Sequence, residues 1–253
     1  NNNPLPRWWL NMFVLTAIFG VGYLVFYPGL GNIAGTLKWS SQQEMQARLD
    51  ELTASRQAAF ARLQDKSVDA LAADSGAQAL GKAVFLANCA GCHGPDAMGA
   101  RGYPNLVDHD WLYGGDDAAL LASITNGRNG QMPAFNGTLA AENVDALVAF
   151  IPHWSDPSLP AATRAAGMKA YSVTCAACHG AEGKGSPLLG APNLSDDTWL
   201  WGGTRKAVRE TILFGRQNHM PAHAQLISAD EIRVVAAYLR AQAAIDGTVA
   251  AAP

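Results

Sequence analysis

Two copies of the motif Cys-x-x-Cys-His contain all four cysteines of the chain, the first ending at His93 and the second at His179. Two thiols at this spacing can form thioether bonds to the two vinyl groups of one porphyrin, while the adjacent histidine binds the iron. The motifs therefore predict two covalently bound haem c groups, with His93 and His179 as iron ligands. The predicted thioether residues are Cys89, Cys92, Cys175 and Cys178.

Other uses of paired thiols fit the sequence less well. A Cys-x-x-Cys pair also occurs in dithiol redox sites and forms half of many zinc sites. A zinc site would require two further thiols or histidines at defined spacing, and neither motif has them. Because no cysteine remains for a structural disulfide, we expect the cofactor to supply the apolar body around which each small domain folds.

Each iron needs a second axial ligand, and Met132 and Met220 are the best candidates. They lie 39 and 41 residues after the histidines of the first and second motif, and each precedes proline in a loop rich in glycine and asparagine. A methionine thioether opposite histidine is the usual arrangement in electron-carrying cytochromes c. The simplest pairing keeps each methionine with the histidine that precedes it, whereas domains packed face to face could exchange their methionine loops. The sequence leaves this pairing open.

An internal repeat supports both methionines. Pro-Asn-Leu at 104–106 recurs at 192–194, Trp-Leu-Tyr-Gly-Gly at 111–115 recurs as Trp-Leu-Trp-Gly-Gly at 199–203, and Met-Pro-Ala at 132–134 recurs at 220–222. The other methionines have no such counterpart and are interpreted as ordinary packing residues. Helical spacing of apolar residues on both sides of each motif predicts a helix, the haem motif, a loop, a short helix, the methionine loop and a closing helix. The second closing helix begins with a capping box at Ser228 and Glu231.

Histidine is the competing axial ligand. The four remaining histidines have no counterpart in the other repeat, so surface or hydrogen-bonding roles are expected for them. The histidine beside Met220 is the strongest exception. The four residues are His109, His153, His219 and His223.

Polar residues that recur in both repeats could surround the haems. The indole N–H groups of Trp111 and Trp199 could donate to propionates, although tryptophan also packs well without such a role. Arg128 and Arg216 follow glycine in the methionine loops and could neutralise propionates, or could be solvated. The carbonyl groups of the two prolines at positions 104 and 192 could accept a hydrogen bond from the iron-binding histidines.

The composition indicates a folded protein, with 49% hydrophobic and 15% charged residues in 253 residues. A net charge of -3 argues against nucleic acid as a partner. The segment from Trp8 to Tyr27 contains 20 residues without a charge, which matches the roughly 30 Å hydrocarbon thickness of a bilayer. Aromatic residues gather near both of its ends, as at a lipid interface. We therefore predict a membrane anchor rather than a cleaved signal peptide or a buried helix. Because the chain does not begin with methionine, we expect further residues upstream.

Haem c is attached outside the cytoplasm, so both haem domains are expected on the periplasmic side of a bacterial inner membrane. The predicted fold is all-α, with one transmembrane helix followed by two tandem class I cytochrome c domains. The predicted segments are a transmembrane anchor at 1–30, an amphipathic helical linker at 31–77, domain 1 at 78–153, a linker at 154–165, domain 2 at 166–245 and a flexible tail at 246–253.

This layout resembles a known family over almost the whole chain. The specific features are Asn-Pro-Leu-Pro-Arg-Trp-Trp at 3–9 and Tyr-Pro-Gly-Leu-Gly at 27–31, which flank the anchor, followed by two Cys-x-x-Cys-His domains with Met-Pro loops. The sequence is similar to the di-haem subunit III of cbb3-type cytochrome c oxidase. The resemblance implies a complex with a catalytic haem–copper subunit and a mono-haem cytochrome c subunit, which reduces oxygen to water and pumps protons. This chain would pass electrons from a donor cytochrome c toward the catalytic subunit.

The motifs are compatible with an electron carrier and with two other functions. If a methionine fills the second axial position of each iron, the chain is an electron carrier and not an enzyme by itself. A di-haem peroxidase would need one iron with an open position. A third possibility is a membrane-anchored di-haem cytochrome that serves a dehydrogenase or another respiratory complex.

Overall fold

The computed structural model describes residues 4–29, 31, 33–108 and 110–245. It contains two compact units, Asn1–Arg62 and Leu63–Pro253. We call these the N-terminal unit and the C-terminal unit and describe each by itself.

The N-terminal unit contains two long helices. Helix α1, Arg7–Phe26, has a mean hydropathy of 1.9 and no buried residue, so it is long and apolar enough to cross a membrane. Helix α2, Ser41–Ala61, begins at Ser40, whose hydroxyl accepts a hydrogen bond from the Gln43 N–H and so satisfies a free donor of the first turn. Because α2 ends at Ala61 and the next helix begins only at Val68, the segment predicted as an amphipathic helical linker contains more than one helix.

The C-terminal unit contains nine described helices and two short strands. Side chains at the N-termini of several helices accept backbone N–H groups, and the capping box predicted at Ser228 is confirmed by reciprocal bonds with Glu231. The elements are α3 (Val68–Ala72), α4 (Ser75–Asn88), α5 (Ala90–His93), α6 (Asp117–Asn126), β1 (Arg128–Met132), α7 (Ala141–Phe150), α8 (Ala161–Thr174), α9 (Ala176–His179), α10 (Arg205–Phe214), β2 (Arg216–Met220) and α11 (Ala229–Ile245).

The two closing helices are exchanged between the sequence repeats. Helix α11 packs on α4, and α7 packs on α8. Both helix pairs approach so closely that each crossing requires glycine. In the first pair, a Cβ atom on Gly81 would lie 2.2 Å from the Val234 carbonyl oxygen. In the second pair, a Cβ atom on Gly167 would lie 2.1 Å from the Phe150 Cβ. The first core thus contains α3, α4, α6 and α11, while the second core contains α7, α8 and α10.

This exchange makes the second core continuous in sequence and the first core discontinuous. A short connection follows α7: a single 3-10 turn at Ile151–His153 and a few residues that lead into α8. Helices joined by so short a connection tend to pack as neighbours. Arg164 fixes the connection, because its guanidinium donates to the carbonyl groups of Trp154 and Asp156. Each sequence repeat therefore contributes helices to both cores.

The methionine loops pair with each other as strands. Strands β1 and β2 are antiparallel, with Gly130 opposite Asn218 at the centre. Hydrophobic periodicity did not predict these strands, because the two segments contain mostly polar residues and pair only when the two loops meet. The helical fold predicted from the sequence is otherwise confirmed.

Candidate haem sites

Each Cys-x-x-Cys-His motif forms one helical turn at the end of a longer helix. In the first motif, α4 ends and the Cys89 N–H donates to the Phe85 carbonyl at 2.8 Å, so that α5 follows at once. His93 is buried, with 8% of its surface exposed, and its Nδ1 lies 3.0 Å from the Pro104 carbonyl oxygen. An Nδ1–H that donates to this oxygen leaves Nε2 free to bind iron.

The second motif repeats this geometry. His179 is also buried, and its Nδ1 lies 2.9 Å from the Pro192 carbonyl oxygen. The proline contacts predicted for both histidines are therefore confirmed. Burial lowers the pKa of His93 and of His179 below the ordinary value, which favours the neutral imidazole that binds metal.

The two thiols of each motif lie in different surroundings. The first cysteine of each motif is partly buried, whereas Cys92 and Cys178 are exposed. Burial raises the pKa of Cys89 and of Cys175 to about 11. A bound porphyrin would therefore contact one sheltered and one exposed sulfur in each motif.

A cavity of about 380 Å³ opens beside the first motif. Its wall includes Cys89, Cys92, His93 and Met220. Val235 and Leu239 of helix α11, in the second repeat, also line the cavity. Among the described residues that line it, the methionine is that of the second repeat and not that of the first.

The second motif and the other methionine pack against the same apolar core. Met132 and Cys175 both pack against the apolar second core, in which Tyr171 is fully buried. The Tyr171 hydroxyl donates to the Gly180 carbonyl oxygen at 2.6 Å and so fixes the turn that follows the motif. Met132 therefore shares a core with the second motif, whereas Met220 shares a cavity with the first motif.

The two loop arginines occupy equivalent positions. The Arg128 guanidinium lies 4.5 Å from the Tyr113 ring centre, and the Arg216 guanidinium lies 4.5 Å from that of Trp201. Arg128 also donates through Nε to the Ser123 hydroxyl. Arg216 donates to the Thr211 hydroxyl and to Glu210. Stacking and hydrogen bonds therefore fix both arginines, and Arg128 lines the cavity beside the first motif.

Three buried polar atoms of the second repeat have no hydrogen-bond partner within the described residues, and two of them belong to residues that line the cavity beside the first motif. They are Trp201 Nε1, Arg216 Nη2 and His223 Nδ1. Buried polar groups are usually satisfied, so these atoms indicate a polar group that the polypeptide does not supply. Haem propionates are anionic acceptors that suit the indole and guanidinium donors. Together with the thiol, imidazole and thioether groups, these atoms show that the residues fit haem.

The predicted tryptophans have defined places as well. Trp111 lines the cavity beside the first motif, and Trp199 packs against the second core. Each ring lies against a glycine, because a Cβ atom on Gly115 or on Gly203 would lie 2.5 Å from the indole Cδ1.

Sequence reasoning missed three residues of these sites. Tyr113 and Trp201 belong to a recurring five-residue segment that was noted but received no role, and each ring covers a glycine of the opposite repeat, Gly190 and Gly102. His223 was expected at the surface or in a hydrogen bond because it has no counterpart, yet it is buried in the cavity beside the first motif.

The two other described histidines without a repeat counterpart are exposed. His153 lies with its Nδ1 3.9 Å from Asp156, and His219 lies on β2, where it lines the cavity beside the first motif. His109 lies outside the described residues. Within the described ranges, no group of three or more histidine, cysteine or acidic side chains could hold a bare metal ion.

Two helical cores, each with a Cys-x-x-Cys-His turn, a histidine held by a proline carbonyl and a nearby methionine, define a double c-type cytochrome. The chain belongs to the family of subunit III of cbb3-type cytochrome c oxidase. The model described as "Cytochrome C oxidase, cbb3-type, subunit III" matches residues 76–151 and 162–239. The model described as "N-terminal domain of cytochrome oxidase-cbb3, FixP" matches residues 1–34. The resemblance noted in the sequence is therefore confirmed.

Curated relatives agree with this assignment. The chain is 40% identical to the "Cbb3-type cytochrome c oxidase subunit CcoP" of Rubrivivax gelatinosus, over 94% of this chain and 78% of the relative. It is 37% identical to the protein of the same description from Cereibacter sphaeroides, over 94% and 89% of the two chains. A "Cbb3-type cytochrome c oxidase subunit FixP" of a Bradyrhizobium species is also 37% identical, with the same coverage.

Proposed function

We propose that this chain is the electron-entry subunit of its oxidase, with two covalent haem c groups between a donor cytochrome c and the catalytic haem–copper subunit. The carrying observation is that a proline carbonyl fixes the histidine of each motif, while Met220 lines the cavity beside the first motif and Met132 packs against the same core as Cys175. An iron with both axial positions filled exchanges electrons and leaves no position for oxygen or peroxide.

The residues of the chain would hold and tune each haem. Thioethers from the two cysteines of each motif would attach it, the proline carbonyl would fix the histidine ring, and the methionine thioether would raise its reduction potential. When bound, the haems supply one-electron iron chemistry. The iron ligands are proposed to be His93, His179, Met132 and Met220.

Arginine and tryptophan residues that recur in both repeats would donate hydrogen bonds to the anionic haem propionates. Arg216 and Trp201 each carry a buried donor without a partner, which supports a propionate contact there. Arg128 occupies the equivalent position in the first repeat. Trp111 and Trp199 are proposed as further indole donors, as predicted from the sequence.

Oxygen reduction and proton pumping would belong to partners. We propose that the catalytic haem–copper subunit and a mono-haem cytochrome c subunit contact this chain in the complex. Helix α1 would anchor it in membrane lipid, with the C-terminal unit on the periplasmic side of the inner membrane. The apolar length of α1 supports the anchor, and the site of haem c attachment outside the cytoplasm supports the side.

Rapid reduction kinetics of the detergent-purified complex test this function. Reduced donor cytochrome c is mixed with oxidised complex, and the haem c and haem b bands are followed separately. We expect haem c reduction to precede haem b reduction, and a variant without this chain's haems, with all four cysteines changed to alanine, to lose fast electron entry. Equal rates of entry with and without these haems would refute the proposal.

Ligand binding separates a carrier from a peroxidase. The reduced protein, purified without partner subunits, is exposed to carbon monoxide and, separately, to peroxide. The carrier function predicts little change in either haem spectrum. Rapid stoichiometric binding at one haem would favour an enzyme with an open iron.

The side of the membrane is tested with spheroplasts. A protease added from outside should release haem-containing fragments of the C-terminal unit, while a cytoplasmic marker protein remains intact. Protection of the haem fragments until the membrane is lysed would contradict the periplasmic location.

A further inference from the structure

We infer that His223 is a positioning residue of the first haem site, where its Nδ1–H donates a hydrogen bond to a propionate of the haem bound at Cys89 and Cys92. The inference rests on the proposed binding of haem by the first motif. It assigns to that haem a donor for which the second site has no equivalent.

His223 is a buried side chain of the cavity beside the first motif. Only 8% of its surface is exposed, and it lines the same cavity as His93. Burial lowers the pKa of His93, and the charge of His223 lowers it further, so the two imidazoles lie close enough to interact. His223 therefore belongs to the first haem site.

The Nδ1 atom of His223 has no hydrogen-bond partner within the described residues. No described carbonyl or carboxylate oxygen bonds to it, and neither does the sulfur of Met220, three residues earlier in the chain. Because an unpaired buried donor is costly, its partner has to come from outside the polypeptide.

A haem bound at the first motif offers one class of free acceptor. The ring nitrogens bind iron and the cysteine thioethers use the vinyl groups, so the propionate carboxylates are the polar groups that remain. A carboxylate accepts strongly from an N–H group that water does not reach. This contact requires the tautomer of His223 that carries its proton on Nδ1.

The loop arginine of the first repeat has no comparable free donor. Arg128 donates through Nε to the Ser123 hydroxyl and through Nη2 to the Ala119 carbonyl, at 2.9 and 3.3 Å. Among the described residues that line this cavity, Trp201 and His223 are the two with an unpaired buried nitrogen. The imidazole is therefore one of two donors that the polypeptide leaves unpaired there.

The second repeat places His223 where the first repeat has phenylalanine. The His223 N–H lies 3.0 Å from the Ile124 carbonyl, and the Phe135 N–H lies 3.0 Å from the Ile212 carbonyl. Both pairs are related by the 88-residue spacing of the repeats. Phe135 packs against the second core. Equivalent backbone positions thus carry a donor in one site and a hydrocarbon ring in the other.

A donor beside a propionate raises the reduction potential of the haem. The N–H dipole offsets the negative charge of the carboxylate and so favours the reduced iron, which carries one positive charge less. His223 should therefore raise the potential of the first haem and leave that of the second haem unchanged.

His223→Phe gives the first site the side chain of the second and tests the inference in the full-length protein. Redox titration measures both potentials, and resonance Raman spectra report the propionate bending mode, whose frequency depends on hydrogen bonding. We expect one potential to fall and the propionate mode to shift, while the methionine–iron absorption band persists. The exposed His153→Phe is the control and should change neither.

Two results of this experiment would overturn the inference. One is a variant with unchanged potentials and an unchanged propionate mode. The other is a shift confined to the methionine–iron band, which would place the imidazole donor on the sulfur of Met220.

Two amide variants cover a failure of His223→Phe to retain haem. The amide nitrogen of asparagine takes the place of Nδ1, whereas that of glutamine reaches the place of Nε2. His223→Asn should therefore keep the potential and the propionate mode of the parent, and His223→Gln should show the fall. The reverse result, or equal values in both variants, would overturn the assignment of Nδ1.

Removal of one haem identifies the affected centre. The protein with Cys175→Ala and Cys178→Ala retains the first haem alone, and there the shift caused by His223→Phe should persist. A shift found only in the protein with Cys89→Ala and Cys92→Ala would overturn the inference. A parent protein without haem at the first motif would refute the proposed function itself, which is a separate outcome.

Discussion

At the residue scale, the sites depend on a few contacts that fix the ends of each haem motif. In the second repeat, the buried Tyr171 hydroxyl holds the Gly180 carbonyl, while the first repeat has Phe85 at the equivalent position. Tyr171→Phe therefore gives the second motif the side chain of the first. We expect the variant to lose about 1 kcal/mol of stability at neutral pH through the missing hydrogen bond.

The same substitution has a pH signature. Burial raises the pKa of Tyr171 to about 12, against an ordinary value of 10.0. The neutral phenol thus stabilises the fold fully below pH 10, and this contribution declines as the pH rises from 10 to 12. Denaturant unfolding across this range should show the parent losing stability relative to Tyr171→Phe. Parallel pH profiles for the two proteins would contradict the assignment.

Gly215 offers a second test at this scale. Gly215→Ala places a methyl group against the Met132 carbonyl in a left-handed backbone conformation, so we expect a loss of about 2–4 kcal/mol from strain and overpacking. Gly137→Ala is the matched control, because Gly137 has φ 79° with no atom within 4 Å of the added carbon. Denaturant unfolding should show a smaller loss in the control. Equal losses would mean that only backbone conformation matters.

The chemistry of single residues was the most predictable part of the site. Cys-x-x-Cys-His and the recurring Met-Pro segments identify haem attachment and candidate ligands by type and spacing alone. The role of Trp201 was not predictable, because its importance comes from a buried N–H that only the folded chain reveals. His223 was misjudged for a related reason: a residue without a repeat counterpart can still face a haem site when the two sites differ.

At the element scale, periodicity predicts the helices but not their partners. The closing helices carry similar apolar stripes, with Ala-Phe-Ile at 149–151 and Ala-Tyr-Leu at 237–239, so either one could cover either haem motif. The short connection between α7 and α8 favours the exchanged arrangement. The strands could not be predicted, since each forms only against the other.

Exchange of the closing helices predicts that a core substitution affects the haem of the other repeat. Leu147 on α7 is fully buried in the second core, and Leu147→Ala should cost about 2–5 kcal/mol. The equivalent residue on α11 is Val235, which lines the first haem cavity. In a Cys92→Ala protein the first haem keeps one thioether and a free vinyl group, so its absorption band moves to longer wavelength and the two haems can be followed separately. Thermal unfolding of this protein should show Leu147→Ala acting first on the second haem.

Val235→Ala is the matched variant and should act first on the first haem, with a smaller loss because fewer atoms are removed. Packing within each repeat would give the reverse assignment of variants to haems. Simultaneous loss of both bands in both variants would show that the two cores unfold together.

At the scale of the whole molecule, the division into two units separates attachment to the membrane from haem binding. Every proposed haem ligand lies in the C-terminal unit, and the apolar helix lies in the N-terminal unit. The anchor could be predicted from its length and composition. The break after α2 was less evident, because charged and apolar residues continue across it with helical spacing.

Helix α1 can be tested without altering any haem ligand. Ile18 lies near its middle, and a lysine at the centre of a membrane helix costs about 3 kcal/mol on insertion. We expect Ile18→Lys, expressed without partner subunits, to reduce the share of the protein that remains in membranes after a salt wash, whereas the control Ile18→Leu should not.

Complete replacement of residues 1–36 by a cleavable export signal is the stronger test. The product should be soluble in the periplasm and carry both haems with unchanged spectra, because the C-terminal unit retains all their ligands. Persistence in the membrane fraction would indicate that another surface binds lipid, with the exposed apolar residues Met45, Leu49 and Leu52 of α2 as the first to examine. Loss of haem from the soluble product would instead show that residues 1–36 are needed for haem attachment.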